Sequence, residues 1–253
     1  EFSGGFILVN TKDVPNSNLF NISVGGSMND QTHFKNFQYN KGSGTDFLGF
    51  DNGLRSLNGG INATLRPMNN GYDLLNNGLN NDWSIKNRKP IADLSLSMNI
   101  AHRWVSESGR TLAMLGAVNY SNTYKTYLNM DNNLYGAYDI THDRSNYLRK
   151  GVDDQYNHNV RVGAMLNLTY VPASGNNRYE FKNIFNQLGK DRYTYRKGTD
   201  AQSDYEESAE YYYQSRTTYS GQFTGKHTWS DTDKLDWSAG YSYANRNMPD
   251  RRR

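Results

Sequence analysis

The side chains best suited to chemistry lie scattered along this sequence. Five histidines, His33, His102, His142, His158 and His227, stand far apart with no HExxH or comparable ligand spacing. Three of them, His102, His158 and His227, fall on the apolar register near the ends of alternating stretches, where an interfacial histidine is the simplest reading. The 253 residues include no cysteine, which removes disulfides, thiolate metal sites and cysteine nucleophiles. Serine, histidine and aspartate are plentiful, but proximity in sequence does not make a triad, so no catalytic residue is assigned and no enzyme is expected. Asp131, Asp139, Asp143, Asp153 and Asp154 could offer oxygen ligands to calcium, yet without EF-hand spacing they read as solvated loop charge. The glycine-rich region after residue 40 lacks the Gly-Lys-Ser/Thr of a phosphate loop and opens no helix. Neither a metal nor a cofactor is expected. A net charge of +3 without a long basic stripe points to no nucleic-acid partner. Loop tyrosines, with the phenylalanines and Trp83 of residues 34–83, could stack on a sugar, peptide or chelate, or pack the loops on one another. No substrate-binding residue is singled out.

The elements say more than the chemistry. In Tyr156–Tyr170, YNHNVRVGAMLNLTY, every second residue gives Tyr, His, Val, Val, Ala, Leu, Leu, Tyr. Successive strand side chains point to opposite faces, so this is a strand with one apolar and one polar face. A tyrosine at each end of the apolar face suits a strand that crosses a bilayer with amphipathic rings at both interfaces. Val160, Val162, Ala164, Leu166 and Leu168 are then lipid-facing, while Asn159, Arg161, Asn167 and Thr169 face a lumen. The low mean hydropathy of −0.89 excludes bundles of membrane helices, since no run of about 20 apolar residues exists. It does not exclude a β-barrel, which is apolar only at alternate positions.

Similar alternation marks residues 19–29, 93–104, 111–121, 211–229 and 235–247. Residues 178–188 alternate with a break of phase, for which a β-bulge is the simplest cause. The connections run long, short, long, short, long, short: 30–90, 105–110, 122–155, 172–177, 189–210 and 230–233. Barrels of the outer membrane have short periplasmic turns and long outer loops. Trp104, Tyr170, Trp229 and Trp237 cluster near the short turns and, with Tyr156 at the far end, form the expected interfacial girdle. The fold class expected is all-β, an antiparallel transmembrane barrel.

Three stretches carry a resemblance to a known family. In residues 1–17, EFSGGFILVNTKDVPNS, the residues Gly4, Gly5, Ile7, Val9, Thr11 and Lys12 match the plug exit of TonB-dependent outer-membrane receptors. This wording, GTDFLGFDNGLRSL at 44–57 and the closing KLDWSAGYSYANRNMPDRRR resemble receptors of the Bacteroidetes type. The resemblance implies that residues 1–17 end a plug domain and residues 18–253 form the N-terminal portion of a barrel. It also implies a closed wall of about 22 strands, of which seven are present, with plug upstream and further strands downstream. Implied too are uptake of a scarce nutrient (iron chelate, cobalamin, glycan or peptide) and a TonB-ExbB-ExbD energy-coupling partner in addition to the outer-membrane bilayer. A plugged barrel that scaffolds a surface lipoprotein is the alternative. A soluble carbohydrate-binding β-protein is a third, distinguished by solubility without detergent.

Overall fold

The computed structural model describes residues 14–56 and 82–253. The plug-exit residues Gly4, Gly5, Ile7, Val9, Thr11 and Lys12 lie outside the described residues, as does Tyr72. The rest is dominated by one antiparallel sheet. Its strands are β1 (Leu19–Ser27), β4 (Asp93–Val105), β5 (Thr111–Asp131), β7 (Arg144–Val171), β8 (Asn177–Asp200), β9 (Tyr205–Thr228) and β10 (Lys234–Arg252), neighbours in that order. A short β6 (Leu134–Asp139) pairs with the upper part of β7. A separate two-stranded ribbon joins β2 (Phe37–Tyr39) to β3 (Lys86–Arg88), and a 3-10 turn spans Asp46–Leu48. Among the described residues the large sheet does not close, because β1 and β10 each have a neighbour on one side only.

The seven expected strands are therefore present, and several are longer than alternation suggested: β5 runs 21 residues where alternation marks residues 111–121. β7 has 28 residues, and β8 and β9 have 24 each. At about 3.3 Å per residue, each runs roughly 80–90 Å. The polar segment 122–155 is not a loop: β5 continues to Asp131, β6 follows, and β7 starts at Arg144. Segment 189–210 likewise shrinks to a turn over residues 201–204. Polar residues stand on both faces there with rings and aliphatics set irregularly among them, so the period-2 signal vanishes while the backbone ladder persists. Residues 106–110, 172–176 and 229–233 remain short turns at the other end.

The bulge expected within 178–188 is absent, since β8 keeps an unbroken register with both neighbours. The phase break has another cause: Asn183 and Gln187 occupy the apolar face and are satisfied there. Asn183 Oδ1 accepts from Tyr219 Oη at 2.6 Å, and Gln187 Nε2 donates to the Gly49 carbonyl at 2.5 Å. Register shifts occur instead at Tyr127/Met130 in β5 and Asn247/Asp250 in β10.

Candidate functional site

Cross-strand register gathers most of the large apolar residues of the seven strands on one side of the sheet, while Leu19, Leu115, Met165, Ile184 and Leu188 lie on the other. One row runs Ile22, Met98, Val118, Ala164, Phe185, Tyr219, Tyr243; another holds Ile100, Gly116 and Leu166. Among the described residues no element covers this lower zone. Ile22 is 59% exposed, and Phe20, Val24, Leu96, Met98, Leu112, Val118, Leu166, Phe181, Phe223, Tyr241 and Tyr243 are exposed as well. Twelve such side chains present roughly 1,000 Å² of contiguous apolar surface, beyond the few hundred Å² usual on a soluble monomer.

Toward the short turns the belt ends in a row of rings. Trp104 pairs with Leu112, Leu112 with Tyr170, Tyr170 with Tyr179, Tyr179 with Gly225 and Gly225 with Trp237. Tyr170 and Tyr179 stack with centroids 6.4 Å apart, and His102 lies 4.1 Å from Trp104. Trp237 Nε1 donates to His227 Nε2 at 2.9 Å, and Trp229, beyond the end of β9, stacks on His227 at 6.3 Å. Trp104, Tyr170 and Trp237 thus share one row, while Trp229 lies four residues beyond Gly225, on the turn side of it. Gly225 gives Trp237 its place, because a Cβ there would sit 2.4 Å from the indole.

Upper parts of the same face are roofed. The described residues between β1 and β4 fold back over β5, β7, β8 and β9, and Phe37 meets Tyr124 and Tyr156 edge-on at 5.3 and 5.5 Å. A ladder of rings, Tyr156, Tyr193 and Tyr211, continues to Trp83, and Tyr211 Oη donates to the Trp83 carbonyl at 2.7 Å. Farther along, Arg55 Nη1 and Nη2 bond Asp46 at 2.8 and 2.6 Å, Nη1 also bonds Asp51 at 2.8 Å, and the guanidinium covers the Tyr213 ring at 3.8 Å. Burial works against that charge, but the two carboxylates outweigh it and hold Arg55 firmly protonated. Burial pushes Asp191, from β8, up to about 6 against the pull of Arg55. The segment 44–56 is thus a small folded clamp. It docks where Gly49 meets Gly189 backbone to backbone.

Two expectations fail at this roof. Val160 is 2% exposed and Tyr156 8%, both covered by protein, so Val160 does not touch lipid and Tyr156 is no girdle residue. The bare part of β7 begins at Val162; Val162, Ala164, Leu166 and Leu168 all lie on it. Alternation alone cannot distinguish an apolar position facing solvent or lipid from one facing a returning loop.

The opposite face is polar, with Asn159, Arg161, Asn167 and Thr169 on it. Val14–Ser17 reach β1 along this side near the short turns, where they share a groove with Leu19, Ala101 and Leu115. Glu180 there bonds Arg178 and Lys182 at 2.6 and 3.0 Å. One row up the sheet holds Arg161, Leu188, Arg216 and Arg246 as successive cross-strand partners. That row escaped a reading by stretches, although the Ser230–Asp233 turn already sets Arg216 opposite Arg246.

The remaining candidates disperse. His33 contacts Asp93 at 3.2 Å, His142 contacts Asp139 at 2.7 Å, and His158, kept neutral by burial, stacks on Tyr124 at 4.5 Å. Asp153 is clamped by Arg196 at 2.6 Å, Asp154 accepts from Asn129 N, and Asp143 accepts from Tyr138. Among the described residues no three His, Cys, Asp or Glu side chains gather to hold a metal. No protein-family model, no curated protein and no solved structure matches the chain.

Proposed function

We propose that this chain forms part of the wall of an outer-membrane β-barrel of the TonB-dependent receptor type. The observation that carries the reading is the bare apolar belt, polar on its reverse and bounded by rings at the short-turn end. Its height fits. From Tyr170 to the roof at Val160 is ten residue steps, about 34 Å along the strand. With strands tilted about 35–45°, that is roughly 24–28 Å along a barrel axis, close to the apolar band of about 25 Å in outer-membrane barrels. Short turns then face the periplasm and the long upper strands project outside. In hydrocarbon the free edges of β1 and β10 would leave unpaired backbone groups, each costing several kcal/mol, so the reading requires further strands beside them.

Within that wall the polar face lines the lumen, and Val14–Ser17 run along it at the periplasmic end, as a plug leading into β1 would. The function proposed is uptake of a scarce nutrient through a gated lumen, coupled to TonB-ExbB-ExbD; no bond is made or broken in the described residues. Single-tryptophan variants of the full-length protein test the membrane reading. In vesicles, Trp104, Trp229 and Trp237 should each be quenched by lipids brominated near the headgroups more than by lipids brominated at chain ends. Trp83 should resist both. Solubility without detergent and no quenching of any of them would overturn the reading.

A further inference from the structure

The polar face carries a charge arrangement that the sheet does not neutralise. Arg216 and Arg246 are direct cross-strand partners, a like-charge pairing that destabilises a ladder by itself. Gln214, buried at 7% exposure, draws them together: with its amide turned to satisfy both sides, its oxygen accepts from Arg216 Nη2 and Arg246 Nε, each at 3.3 Å. Its nitrogen then donates to Tyr212 Oη. Arg161 approaches the same row from β7, two strands from Arg216 across Leu188, and Lys190 pairs with Gln214 one row above. Carboxylates elsewhere on this face are engaged: Glu180 with Arg178 and Lys182, and Glu210 with Arg192 and Arg251. Among the described residues none lies within ion-pair distance of Arg161, Lys190, Arg216 or Arg246. Between Arg161 and Arg216 lies a groove of about 320 Å³ edged by the amides of Asn119 and Asn186 and the hydroxyl of Thr218.

We infer that this row is a binding site for a small multivalent anion, a phosphate- or carboxylate-bearing solute. Guanidinium forks suit both groups because they present parallel N–H donors to a pair of oxygens. Two guanidiniums fixed on one buried amide hold such donors in place before a ligand arrives, and the flanking amides and hydroxyl add neutral donors. The groove has room for one small solute. The binding claim stands on the polar face alone and needs no bilayer; the clause that this anion is the cargo rests on the uptake reading above. The two can fail separately, one in solution binding and the other in lipid quenching.

Titration calorimetry of the full-length protein in detergent, with inorganic pyrophosphate and with tricarballylate at low and moderate salt, tests the site. Saturable binding to at least one of them is expected, weakening at least tenfold in Arg216→Gln and in Arg246→Gln, and unchanged in Arg103→Gln, an exposed arginine of the same face near the short turns. Thermal melts guard against misfolding. The unliganded Arg246→Gln protein should melt no lower than the parent, because a like-charge contact has been removed, and should no longer be stabilised by pyrophosphate. No binding of either probe, binding that survives both substitutions, or equal loss in Arg103→Gln would overturn the proposal.

Discussion

Gly189→Ala puts the docking of the roof to a direct test. A Cβ at Gly189 would lie 2.6 Å from Gly49 Cα and 3.2 Å from its carbonyl carbon and oxygen. These are backbone atoms, so no rotamer change relieves the clash. Gly49 cannot turn away cheaply, because it already sits at φ +80° as the C-cap of the 3-10 turn. Overpacking of this kind costs about 1–3 kcal/mol. Displacement of Gly49 also strips its carbonyl from Gln187, 1% exposed, and an unsatisfied buried amide costs about 1–3 kcal/mol more. A loss near 3 kcal/mol changes the docked fraction by roughly 150-fold. Hydrogen exchange read by mass spectrometry over residues 44–56 should show that loss of protection, with Leu48 and Gly49 amides the most informative because both are bonded within the turn. Gly44→Ala is the control, since a Cβ there meets nothing within 4 Å. Protection within threefold of the parent in Gly189→Ala would refute the docking geometry.

Three further outcomes follow from the same structure. Leu166→Arg, on the bare belt, should cost about 2–4 kcal/mol in refolding into vesicles, whereas Ser220→Arg at a similar height on the polar face should cost under ~1 kcal/mol; equal costs would contradict the two-faced wall. Asp191 binds its proton more tightly when the roof is docked, with a value of about 6 against an ordinary 3.8. Its contribution is therefore complete below about pH 4 and lost as pH rises through 6, on the order of 2–3 kcal/mol. Protease sensitivity of residues 44–56 should rise from pH 5 to 7.5, and Asp191→Asn should flatten that dependence. Asp46→Asn should loosen the same segment at both pH values by leaving Arg55 half-paired and buried, an effect of about 2 kcal/mol or more; proteolysis rates unchanged from the parent would contradict the clamp.

Much of the sheet was legible because alternation is a direct imprint of its two unlike faces. Phe20 through Met28 and Leu94 through Trp104 name their own faces, and Pro172–Asn176 and Ser230–Asp233 name their turns; residues 111–121 name theirs less sharply, because Ala113, Leu115 and Ala117 make the opposite face apolar too. Legibility ended where the environment became the same on both sides. Above the belt, residues 190–200 of β8 and 205–210 of β9 set charged or polar residues on both faces, so no period remains to be read. Asn183 and Gln187 broke phase because their partners, Tyr219 and Gly49, are distant in sequence. Gly49 against Gly189 is a contact between two glycines with no local signature at all. The arginine row was within reach, since a tight turn fixes which residues oppose one another, but it emerges only when registers are followed across several strands.

The central claim is that one face of this sheet lies against lipid. A spin label placed singly at each position from 162 to 169 of the full-length protein in vesicles tests it most directly. Collision with oxygen, which concentrates in hydrocarbon, should peak at 162, 164, 166 and 168, and collision with a water-soluble nickel chelate should peak at the odd positions or vanish there if the lumen is filled. Oxygen and nickel access of equal size at even and odd positions, or nickel access highest at the even ones, would contradict the claim.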